Sequence, residues 1–195
     1  MDTRTTMIVA GIVVIAIIAI AALLIARKRK SEHLKQQFGP EYDRAVLQHG
    51  DPRQAEAVLL EREKRVDKLS IRPLSSGDRE RYANEWAFVQ KRFVDDPSMA
   101  VTQAEKLVTS VMVARGYPMG GDFEQRAADI SVNYPAVVQN YRSAREITLR
   151  HSQGQSSTEE LRQSMVYFRS LFEELLDSPK AASAKIGASH ERIAS

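Results

Sequence analysis

The stretch STEELRQSMVYFRSLFEELL, residues 157–176, sets Leu161, Met165, Phe168, Phe172 and Leu175 at spacings of four, three, four and three. That is the period of one helical face, with the charged residues falling between. The stretch opens on Ser157 with Glu160 three positions later. In that pairing each side chain bonds the other's backbone N–H at a helix start. No run in the chain alternates apolar and polar residues with period two, so the stripe can bury itself only against other helices. The expected fold class is all-α, a multi-helix bundle-like domain.

The same period recurs on both sides of the interruptions. Tyr82, Trp86, Val89 and Phe93 form a stripe that begins after a loop over 70–77, with Ser76 or Asp78 opening the helix and Trp86 the expected core residue. Asp95-Asp96-Pro97 ends that helix and begins the next, whose apolar face is Val101, Ala104, Val108, Val111 and Met112. Gly116 is placed to close it in the left-handed conformation, and Pro118 prevents continuation. Asp122 caps a short helix to about Ile130, and Tyr134-Pro135 opens one that carries Val138, Tyr141 and Ala144. Nearer the N-terminus, Phe38-Gly39-Pro40 breaks one helix and starts a short one ending at Gly50, with Val46 and Leu47 apolar. Asp51-Pro52 starts a helix toward Leu69 whose stripe is Ala55, Leu59, Arg62, Val66 and Leu69. Glu61 stands four residues before Arg65, a spacing that predicts a solvated, internally paired face. Gly120 and Gly121 read as a hinge that links helical halves 31–119 and 122–177, which are kept as one domain because either alone has a thin core. Residues 178–195 are small and polar and are expected to be disordered.

One segment departs from the amphipathic pattern. Residues 7–26 are an unbroken apolar run, about 30 Å long as a helix, which matches the hydrocarbon core of a bilayer. Arg27, Lys28, Arg29 and Lys30 follow at once. A cleaved signal peptide is the rival reading, but it needs a shorter apolar stretch behind a positive start. Here Arg4 is the only basic residue before the run. The positive-inside rule then predicts a single-pass transmembrane helix with residues 1–6 outside the cell and residues 31–177 in the cytoplasm. The basic segment 27–30 suffices as a topology signal and can also attract anionic lipid. Ala16, Ala19, Ala22 and Ala26 share one helical face. They serve as lipid-facing filler or as a close-packing face for a homodimer.

The formal charge of +3 conceals a split. Residues 1–30 carry +4, residues 31–177 carry −3 and residues 178–195 carry +2. A weakly acidic folded part of mixed sign argues against a nucleic-acid partner, which needs clustered Lys and Arg. The absence of cysteine removes disulfides, thiolate catalysis and zinc–thiolate sites. None of His33, His49, His151 and His190 has a second histidine at metal-ligand spacing. The acid pairs Asp95/Asp96 and Glu159/Glu160 sit at helix starts, where carboxylates cap. Asp122, Glu124 and Asp129 lack calcium-loop spacing. The glycine-rich 116–122 stretch follows a helix and ends on an acid, which argues against a phosphate cradle. No cofactor and no metal is expected.

The motifs FGPEYDRAV (38–46), HGDPRQAEA (49–57), IRPLSSGDRERY (71–82), RFVDDP (92–97) and DFEQRAADISVNYPAVVQNYR (123–142), together with the 157–176 stretch, resemble a bacterial family of small proteins. Its members usually stand behind an N-terminal hydrophobic segment and are described as hypothetical, membrane or secreted proteins. The resemblance implies a bacterial inner- or plasma-membrane setting and brings no activity or site residue. The expected function is therefore non-catalytic: a membrane-tethered adaptor or scaffold with a protein partner. An anionic-lipid-surface or envelope-stress protein is the alternative. An enzyme built from dispersed carboxylates and arginines, such as Asp122, Glu124 and Arg126, is the third reading.

Overall fold

A computed structural model describes residues 3–177, with side chains from residue 11. The expected disordered tail, 178–195, lies outside the described residues. Among these the fold is all-α, with eight helices and no strand. They are α1 (Thr3–Phe38), α2 (Pro40–His49), α3 (Pro52–Asp67), α4 (Ser76–Asp95), α5 (Pro97–Ala114), α6 (Phe123–Asn133), α7 (Val138–Ser152) and α8 (Thr158–Asp177). The described residues form two compact units, divided between Glu56 and Ala57.

In the first unit the apolar run and the basic quartet belong to one continuous helix. α1 has 36 residues, about 54 Å of rise. Its Gly11–Phe38 portion is long and apolar enough to cross a membrane, a property shared by transmembrane anchors and signal sequences near an N-terminus. Gly39, at φ 47°, breaks the helix, and Pro40 starts α2 with its φ preset and no N–H to satisfy. Leu47 is 85% exposed, and α2 instead buries Glu41, Tyr42 and Ala45. The Tyr42 hydroxyl donates to Glu56 Oε1 at 3.0 Å and lies 3.4 Å from Ser31 Oγ. These bonds tie the C-terminal part of α1, α2 and the second turn of α3 together.

In the second unit α5 packs against both α4 and α8, and α7 packs on α8. Every residue of the α8 stripe is buried, as are Tyr82, Trp86 and Val89 of α4. Trp86 stacks on Phe172 with ring centroids 4.6 Å apart. All five apolar positions expected on α5 are buried. Full burial of one such large apolar side chain is worth roughly 1.5–3 kcal/mol.

The helix ends follow the local chemistry, with one displacement. Asp96 closes α4 and caps α5, accepting from Met99 N at 2.9 Å. Asp122 accepts from Gln125 N at 2.8 Å, and Ser157 and Glu160 form their reciprocal box. The cap of α4, however, is Ser75. Its Oγ accepts from Asp78 N and donates to Asp78 Oδ2, and Ser76 follows as the first residue of the helix. Tyr134 and Pro135 do not begin α7, which starts at Val138 after a turn. Gly116 adopts φ 99° and closes α5, with Tyr117 N bonded back to Met112 O at 3.0 Å.

Candidate docking groove

The α4 stripe that faces the core leaves its flank to solvent. Asn84, Glu85 and Phe88 lie along that flank, and Phe88 is 61% exposed. Opposite them α5 presents Gln103, Lys106, Leu107 and Ser110. The two rows enclose an open groove of about 530 Å³ with Val89 and Leu107 at its base.

Its polar groups are unequally engaged. Arg81 spans Asp78 and Glu85 at 3.0 and 3.1 Å, so Glu85 is already committed at one end. The hydrogen bonds from Ser75 and Arg81 hold the Asp78 carboxyl below the usual carboxylate range. Ser110 Oγ donates to Lys106 O within its own helix, and Tyr82 OH reaches Ser110 O at 3.4 Å. Gln103 Oε1 is different: it is buried and has no protein donor in reach. The Phe88 ring carries the Arg92 guanidinium 5.6 Å from its centroid, which orients an aromatic face that burial alone would leave free. The lining thus offers one carboxylate, one ammonium, two amides and one hydroxyl, the last bonded within its own helix.

The residues singled out from sequence fall elsewhere. Arg27, Lys28, Arg29 and Lys30 are exposed on α1, with Lys28 Nζ 3.9 Å from Glu32. Ala16, Ala19, Ala22 and Ala26 are also exposed on α1. Gly120 and Gly121 lie inside the second unit, while the division of the chain falls between Glu56 and Ala57. Asp122, Glu124 and Arg126 do not converge. Asp122 caps α6, Glu124 sits 3.5 Å from Arg142, and Arg126 donates to Gly121 O at 3.1 Å. They line neither this groove nor the smaller cavity between α4 and α8. His151 bridges Ser98 Oγ and Ser156 Oγ at 2.7 and 3.0 Å, a structural strut. Among the described residues no three His, Asp or Glu side chains gather as metal ligands would.

Two buried charges escaped the sequence reading. Arg65 does not pair with Glu61, which instead meets Lys64 at 3.1 Å. Its guanidinium reaches Asp129, buried on α6, at 2.6 and 2.8 Å, and Gln125 adds a third donor at 3.0 Å. Arg115 is fully buried, and its Nη1 donates to Leu175 O at 2.5 Å. That carbonyl is among the last four of α8, which have no partner within the helix, so the arginine serves as a long-range C-cap. Phe88 itself carried a faint sequence signal, an aromatic residue off the Tyr82–Phe93 stripe.

No family model matches the chain, and neither a curated protein nor a solved structure does, so the resemblance noted above carries no family assignment.

Proposed function

We propose that this protein is a non-catalytic adaptor held at the cytoplasmic face of a bacterial membrane by α1, and that the α4–α5 groove receives an amphipathic helix of a protein partner. The observation that carries the reading is Phe88, a large aromatic side chain 61% exposed beside a groove of about 530 Å³. Helices dock in such grooves through apolar side chains at i, i+3 and i+4. Val89, Leu107 and the Phe88 ring supply the apolar surface for them. The exposed Arg27–Lys30 quartet supports the placement, with the N-terminus outside and residues 31–177 inside.

A photo-crosslinking residue in place of Phe88 tests the groove in intact cells. One discrete protein should be captured from that position and not from Val94, which is 83% exposed on the same helix. Phe88→Asp should abolish that capture in a pull-down without lowering the melting temperature. Identical products from positions 88 and 94 would refute the assignment. Alkaline phosphatase fused after Ser195 should be inactive, and activity there would reverse the topology.

The alternative, an anionic-lipid-surface protein, is favoured by the same quartet, since each exposed Lys or Arg contributes about 1 kcal/mol near an acidic leaflet. Salt-sensitive flotation of residues 27–195 with phosphatidylglycerol vesicles would support it.

A further inference from the structure

The α4–α5 groove lies along a helical hairpin whose two arms keep one register. Tyr82 is fourteen residues before Asp96 and Ser110 fourteen after it, and the Tyr82 hydroxyl meets Ser110 O at 3.4 Å. Positions equally far from Asp96 therefore stand at one level on the two antiparallel arms. Glu85 is eleven residues before Asp96 and Lys106 ten after it. The groove thus carries its one carboxylate and its one ammonium at nearly the same level, on opposite walls. Lys106 is exposed and meets no carboxylate among the described residues. Glu85 gives Oε1 to Arg81 at 3.1 Å, which leaves Oε2.

That pattern is complementary to itself. Two copies packed face to face are related by a twofold axis that lies in the plane between them. With the axis parallel to the helices, α4 of each copy lies over α5 of the other at the same level. Glu85 of each copy then meets Lys106 of its partner. With the axis across the helices at that level, α4 lies over α4, Glu85 opposes Glu85 and Lys106 opposes Lys106. Charge selects the first arrangement, an antiparallel four-helix bundle.

Shape and size agree. Phe88, 61% exposed, projects from the α4 wall, and Val89 and Leu107 floor the hollow beside it. A cavity of about 150 Å³ accepts a benzene ring, so about 530 Å³ admits the Phe88 ring of a second copy with its neighbouring side chains. With α4 at 20 residues, the hairpin face is about 30 Å long and, being two helices across, about 20 Å wide. Two copies then bury about 1,200 Å² together, the lower end of specific interfaces. A shared bilayer anchor raises their effective concentration and sustains association at that size.

We propose that the occupant of the α4–α5 groove is the α4–α5 hairpin of a second copy of this chain, held by Phe88 and by two symmetric Glu85–Lys106 contacts. The inference rests on the groove's being a docking site and names what docks there.

The chain has no cysteine, so introduced cysteines report single contacts. Full-length chains with Asn84→Cys under one tag and Ser110→Cys under another are co-expressed, and their native membranes are treated with a short bismaleimide. The mixed product, 84 to 110, should form in higher yield than either homotypic product. Phe88→Asp in both chains should remove it without lowering the melting temperature. Glu85→Lys in both chains, or Lys106→Glu in both, turns two attractions into repulsions and should reduce the yield about tenfold. Glu85→Lys in one chain with Lys106→Glu in the other restores both attractions. The yield should then return to the parental value, which a folding defect cannot produce. Absence of the 84–110 product overturns the proposal, as does an 84–84 product in excess of it. So does failure of the paired charge variants to restore the yield. The photo-crosslink at position 88 separates this inference from the groove reading. A product of two full chains supports both. Capture of a different protein leaves the groove reading standing and overturns the second copy, and capture of residues 178–195 of the same chain overturns it too. No capture at all, with no 84–110 product, overturns both.

Discussion

Three glycines within six residues form a graded test of how the second unit is closed. Gly116 has φ 99°, and a Cβ built on it would stand 2.5 Å from Ser70 O and 3.1 Å from Ser70 C. Those neighbours are backbone atoms, and Arg72 N is bonded to Arg115 O at 2.9 Å beside them, so neither strand of the crossing can retreat alone. Gly116→Ala therefore carries two costs. The left-handed backbone costs an alanine roughly 1–2 kcal/mol, and relieving the overlap costs about 1–3 kcal/mol more. The sum, about 2–5 kcal/mol, is a large share of the 5–15 kcal/mol that holds a typical domain. Gly121 has φ 89°, and its Cβ would meet Gln125 Cγ at 3.0 Å and Gln125 Cβ at 3.2 Å, of which only Cγ can swing aside. Gly121→Ala should lose that backbone part, about 1–2 kcal/mol, with a smaller overlap against Gln125 than Gly116→Ala meets against Ser70. Gly120 has nothing within 4 Å and no positive φ. Gly120→Ala should be neutral or stabilising by about 0.4–1 kcal/mol, because it narrows the unfolded ensemble. Urea unfolding of the full chain in detergent micelles, followed by Trp86 fluorescence, reads this unit directly. An order other than 116, then 121, then 120 would refute the reasoning. So would a Gly116→Ala midpoint that matches the parent protein.

Arg65→Ala should destabilise more than Asp129→Ala, by about 2–4 against about 1 kcal/mol in the same urea assay. Losing the arginine leaves a carboxylate only 3% exposed, whereas losing the carboxylate leaves a guanidinium 41% exposed that can turn to water; the reverse order would sink this account. Burial pushes the Tyr117 and Tyr141 hydroxyls above the ordinary tyrosine range. The stability they contribute is fully present below the unfolded value near pH 10 and is lost as pH rises through the folded values. The urea midpoint should accordingly fall above about pH 10, and Tyr117→Phe should flatten that fall; an unchanged slope would count against it. Ser75→Ala should cost about 1 kcal/mol through the lost cap on α4, whereas Ser76→Ala should be near neutral; thermal melts of the two variants decide between them.

Much of the fold is local chemistry written along the chain. The stripes on α4, α5 and α8 are legible because a helix presents every third or fourth residue to one side, whatever it packs against. Asp96, Asp122 and Ser157 are legible as caps because a cap bonds N–H groups two or three residues away. Gly116 is legible because only glycine accepts its backbone angle freely. The long apolar run before Arg27 is legible because its length and uniformity need no partner to interpret.

Tertiary structure decided the rest, and in each case the partner is remote. Arg65 lies within reach of Glu61 by helical spacing, yet it reaches Asp129, 64 positions away, because a buried carboxylate needs a charge more than an exposed one does. Arg115 reads as an ordinary helix-end cation until α8 sets a terminal carbonyl against it, 60 positions on. Leu47 reads as one of the apolar residues of α2, and only the packing of neighbouring helices leaves it, like Phe88, in water. The α4–α5 groove and the α4–α8 cavity arise on opposite flanks of one helix whose own sequence specifies the face between them. Periodicity determines which side of a helix is buried; what borders its flanks depends on which other helices the closed chain brings alongside.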